Sequence, residues 1–144
     1  MHHRTAATVT TLILCACLLL TGCSAHARQR DLIRRDPLYT ATWDGIESLG
    51  TKESTDGAWK PPPPSITRCL TTTLPPEEAV QRIMTTAEQE NWTEDESTPG
   101  SGTSRWAQKR TRGGTMRLHV SILATGCMQY PETNLIMLLG ISTG

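Results

Sequence analysis

The side chains able to do chemistry in this 144-residue chain are few, and their spacing limits them. His119 stands in RLHVS with Ser121 two positions on, so both point to one side of an extended strand. An imidazole beside a hydroxyl is two-thirds of a nucleophilic triad, but the third member is an acid that orients the ring, and RLHVS supplies none. Spacing of two is also what any strand with a polar face produces, so His119 reads as a strand-face histidine. Glu94, Asp95 and Glu96 are the second candidate. Glycoside hydrolysis needs two carboxyls held rigidly across roughly 5–9 Å. Three adjacent acids in TEDESTPGSGTS, among Gly, Ser and Pro, read instead as a flexible solubilising loop. The sequence contains no G-x-S-x-G, H-E-x-x-H, Walker or dinucleotide motif. No catalytic residue, metal site or cofactor is expected, and the chain is not expected to be an enzyme.

The elements that position these residues are legible from periodicity. SITRCLTTT is rich in β-branched residues and precedes a proline pair, as a strand would. In LPPEEAVQRIMTTAEQENW, Pro76 suits the first helical position, and Glu77 and Glu78 complement the helix dipole. Val80, Ile83, Met84 and Ala87 then form one apolar helix face, and Asn91 suits a left-handed C′ position with Trp92 returning to the core. SRWAQKR and TMRLHVSILAT flank TRGG as a hairpin, with Met116, Leu118, Val120, Ile122 and Ala124 on one parity and Arg117, His119 and Ser121 on the other. NLIMLLGIS is apolar on both parities, which suits a central strand. The expected fold is α+β, two layers in the order β-α-β-β-β, with one helix on a small antiparallel sheet over residues 65–144.

Ahead of that domain lies an apolar run at residues 6–20, preceded by Arg4. As a helix it would cover about 22 Å, short of a hydrocarbon core of roughly 30 Å, and its length suits a signal peptide. The run ends in Leu20-Thr21-Gly22-Cys23, which resembles the lipobox of bacterial lipoprotein precursors. That resemblance implies cleavage between Gly22 and Cys23 and lipid on the Cys23 sulfur. It also implies anchoring on the extracytoplasmic face of the cell membrane through a diacylglyceryl group. The segment DPLYTATWDGIESLG is similar to sequences found in small secreted actinobacterial lipoproteins.

On this reading Cys15 and Cys17 leave with a signal peptide at residues 1–22, and Cys23 carries lipid. Cys69 and Cys127 remain, and in an oxidising compartment they are expected to pair. As metal ligands they would lack partners, since His119 is the only histidine of residues 65–144. Strand parity puts both on the sheet face away from the helix. Residues 23–64, with scattered charges and prolines at 61–64, read as a lipidated N-terminus and flexible tether with a reach of roughly 35 Å. Within the tether, Arg28, Arg30, Arg34 and Arg35 could meet anionic headgroups, and Trp43 and Ile46 could dock on the domain or a partner.

Charge narrows the partners further. Fourteen Lys and Arg balance fourteen Asp and Glu, which excludes a sequence-blind nucleic-acid binder. The expected function is a non-enzymatic binding module at the cell envelope, with another envelope protein or a cell-wall component as partner. The alternative is an inhibitor of a secreted or cell-wall hydrolase, which would plug a cleft with residues 94–103 or 110–115.

Overall fold

A computed structural model describes residues 25–54, 62–98, 100–122 and 127–142. The leader, Gly22 and Cys23 lie outside the described residues, as do Pro61, Ala124 and Gly126. No described helix is long and apolar enough to cross a membrane. Two helical segments come first, α1 at residues 25–35 and α2 at Pro37–Thr40. Then follow β1 (Ile46–Glu53), β2 (Ser65–Thr72), α3 (Pro76–Gln89), β3 (Thr93–Glu94), β4 (Ser104–Thr111), β5 (Gly114–Ser121) and β6 (Leu135–Ser142). The strands form one six-stranded antiparallel sheet in the order β1-β2-β6-β5-β4-β3.

The α+β class holds, with a sheet larger than the sequence suggested. The β-α-β-β-β order omits β1, β3 and the two leading helices, all of which belong to the folded body. Residues 25–54, read from the sequence as part of a flexible tether, contribute α1, α2 and β1 to this body ahead of Ser65. Ile33 of α1, Leu38 of α2 and Ile46 of β1 are buried in the same core as α3 and the central strands. Trp43 and Ile46 dock on this domain itself.

α3 forms where its periodicity put it. Val80, Ile83, Met84 and Ala87 are buried and meet Leu118 of β5 and Met137 and Leu139 of β6 in one cluster. Asn91 takes φ 64°, and the Trp92 amide donates to the Ala87 carbonyl at 3.0 Å, bringing the indole back inside. β6 lies between β2 and β5, which explains its apolar residues on both parities.

Two polar residues fasten the N-terminal helices. Asp36 is 5% exposed and caps α2 by accepting from the Leu38 amide at 3.0 Å. It also accepts from the Trp92 indole at 3.3 Å and from Lys109 Nζ at 2.9 Å. Arg68 of β2, also buried, donates to the carbonyls of Leu38 and Ala41 at 2.9 Å each. Its guanidinium lies 5.4 Å from the Trp43 ring centre.

Candidate functional site

The core cluster unites α1, α2 and α3 with the even-numbered positions of β2, β5 and the odd-numbered positions of β6. The opposite parity faces away from these helices. Cross-strand pairing puts Trp106 of β4 opposite His119 of β5, and His119 opposite Leu138 of β6, in one row across that second face. The register follows from the two-residue turn at Arg112 and Gly113, which pairs Thr111 with Gly114 and each residue outward from there.

The Trp106 and His119 rings stack, with centroids 3.9 Å apart and planes 10° from parallel. His119 Nε2 is 3.0 Å from the Ser104 hydroxyl. The partner is Ser104 on β4, the diagonal neighbour across the ladder, and not Ser121 on the same strand. His119 is half-buried, and burial lowers its pKa from the ordinary 6.5. The neutral ring is therefore the form the fold favours. Stability should be complete above about pH 6.5 and fall as the pH drops below that value through the lower folded pKa. Urea unfolding of wild type and His119→Gln at pH 7.5 and 5.5 checks this; the substitution should flatten part of the slope, and an identical slope would remove His119 as its source.

Trp106 also lines a cleft of about 510 Å³ with Glu94, Asp95, Glu96, Thr98 and Arg105. The expected flexible loop is a folded turn here. The Asp95 amide donates to the Trp106 carbonyl at 2.9 Å, and its carboxylate accepts from Ser97 and Thr98. Those side-chain hydrogen bonds hold the Asp95 carboxyl below its usual range. Arg105 donates Nε to Glu94 at 2.6 Å, and its Nη2 meets the second Glu94 oxygen. That contact lowers the Glu94 pKa in turn. Both acids are therefore charged at neutral pH, and the cleft is an anionic recess with an indole wall. Among the described residues no three His, Cys, Asp or Glu side chains converge as a metal site.

At the other end of the face Cys69 and Cys127 form a disulfide with Cα atoms 5.9 Å apart. They pack with Ile136 and Tyr130 in a cluster separate from the main core, on the side that strand parity assigned. Tyr130 crosses β1 at Gly50, where a Cβ would fall 2.1 Å from its hydroxyl. This small apolar patch therefore depends on a glycine in the edge strand.

A second cleft of about 520 Å³ lies between α3 and the segment joining α2 to β1, lined by Trp43, Asp44, Glu78, Arg82 and Thr86 among others. Its polar groups serve the joint itself. The Trp43 indole donates to Thr86 at 2.9 Å, and Arg82 bridges the Asp44 carbonyl and Glu78.

Sequence reasoning assigned no role to Trp106. The signal was present in the hairpin register, since counting outward from Arg112 and Gly113 brings Trp106 opposite His119. Comparison with known protein families, characterised proteins and solved structures finds no match to this chain.

Proposed function

We propose that this protein is an extracytoplasmic lipoprotein, anchored through Cys23, that acts as a non-enzymatic binding module for another component of the cell envelope. The observation that carries the binding role is the half-buried Trp106–His119 stack on the sheet face away from the helices, beside a charged cleft. An indole with one face covered keeps its other face and edge for a ligand, and fixed aromatic area binds at low entropic cost. His119 gives its Nε2 to Ser104 and one ring face to Trp106, an arrangement suited to a platform more than to proton transfer.

The inhibitor alternative needs a protruding loop. Residues 94–98 instead fold back on Asp95 to form the rim of a recess. The 110–115 hairpin tip is a tight turn seated against α1, with Leu32 Cδ1 2.4 Å from where a Gly113 Cβ would stand. Both observations favour a module that receives a partner over one that plugs a cleft.

Capture from native membranes tests both parts. Cys23→Ala should release the protein from membranes, and continued retention of that variant would overturn the anchor. Trp106→Ala should keep the anchor and lose at least about tenfold of the material that co-purifies with wild type, the weight of one interfacial aromatic residue. Unchanged co-purification would overturn the binding face.

A further inference from the structure

We infer that the domain lies flush on the bilayer, docked onto anionic phospholipid headgroups through α1 and the β4–β5 hairpin tip. This rests on the reading of Cys23 as the lipidated residue. Two peptide units separate Cys23 from Ala25, the first described residue of α1. Such a connection spans at most about 7 Å, comparable with one headgroup layer, whose thickness is roughly 5–8 Å. A folded body that begins so close to its anchor has no leash on which to move away.

The surface at that end carries the charge a phospholipid surface would select. Arg28, Arg34 and Arg35 are exposed on α1, and Arg110 and Arg112 are exposed at the hairpin tip. The seating of Gly113 against Leu32 makes tip and helix one surface. Among the acids here, Asp31 and Glu53 contact Arg34, at 3.8 and 2.6 Å. Arg28 and Arg35 border a shallow recess of about 260 Å³ with Leu32 and Asp31 in its wall. That places cations around an aliphatic side chain, as at a membrane interface.

The opposite end carries the opposite charge. β4 runs away from the tip for eight residues, and the acidic segment Glu94, Asp95 and Glu96 lies along its outer half, with Glu94 opposite Ala107 and the Asp95 amide on the Trp106 carbonyl, roughly 15–20 Å from the tip at strand rise. Glu77 in the first turn of α3 joins them, since Gly102 lies against its carboxyl, while Arg105 and Arg82 offset Glu94 and Glu78 and leave the acids in excess. An anionic surface attracts one end and repels the other, so charge and anchor favour the same orientation. The Trp106 cleft then opens away from the bilayer.

Energy transfer to headgroup-labelled lipid tests the orientation, using lipidated protein in vesicles with a donor on Ala27→Cys or on Glu96→Cys. In vesicles containing phosphatidylglycerol the Ala27 position should transfer at least about twofold more efficiently than the Glu96 position, given an acidic segment roughly 15–20 Å from the tip. The contrast should shrink in pure phosphatidylcholine, in Arg28→Glu/Arg35→Glu, and for wild type in 1 M salt, where the screening length is about 3 Å. The salt arm needs no variant and so does not depend on the folding of the charge-reversed protein. Equal transfer from both positions on phosphatidylglycerol, or a contrast indifferent to lipid charge and salt, would overturn the docking. Protein that fails to co-float with vesicles would instead overturn the reading of Cys23, and the two failures are separate readouts.

Discussion

Asp36→Ala should lower the unfolding free energy by about 3 kcal/mol, the low end of what removing one partner of a buried ion pair costs. The carboxylate is 3% exposed, while its partner Lys109 is 22% exposed and can recover some hydration, which sets the estimate at that low end. Three donors lose their acceptor together: the Leu38 amide, the Trp92 indole and the Lys109 ammonium. They belong to α2, the segment after α3, and β4, so the loss loosens the junction between the N-terminal helices and the rest of the domain. Asp36→Asn keeps an oxygen for the cap and should cost less, about 1 kcal/mol. Urea unfolding followed by tryptophan fluorescence measures both. A loss below about 1 kcal/mol for the alanine variant would mean that the Asp36 hub does not hold the helices to the sheet.

Removing the disulfide should have an effect of similar size through a different state of the chain. Cys69 and Cys127 are 58 positions apart, and closing such a loop restricts the unfolded ensemble by about 4 kcal/mol on the chain-entropy account. Cys69→Ser/Cys127→Ser, or wild type in reductant, should therefore melt roughly 15 °C lower in a domain of this size. The folded topology should persist, since the bond lies outside the main core, on the far face of the sheet. Calorimetry with and without reductant measures the shift. A fall of only a few degrees would mean that the loop is already held closed in the unfolded chain.

The parts of the fold visible in the sequence are those whose signal is local. α3 has a proline at its start, an apolar face and an Asn at C′, and each does what its type favours. The hairpin has a tight turn and clean alternation, and the strand parity that put Cys69 and Cys127 on the same face needed only the correct register. Residues 25–54 offered no such signal. β1 is an edge strand with one buried position, Ile46, so ESLGTKE reads as polar linker. α1 is anchored through Ile33 with Leu32 packed beside it, too few apolar residues to suggest a face. Asp36 carries no local signal of its role, because that role depends on Trp92 and Lys109, 56 and 73 positions away. The candidate site was half legible: His119 was located on its face, whereas Trp106 and Ser104 reach it only by strand pairing.

The strand order constrains when this protein can become itself. β6 comes last of the strands in sequence yet lies between β2 and β5. Until it is delivered, the sheet exists as two pieces, β1 with β2 and β3 with β4 and β5, each exposing an apolar edge. Cys127 also precedes β6 by only a few residues, so the covalent link between the pieces arrives at nearly the same moment. Pairings between distant parts of a chain form slowly, and here the decisive one waits for β6 to pair with both β2 and β5. The centre of the sheet is therefore its last part to form, and the two flanking pieces gain their shared core only with it.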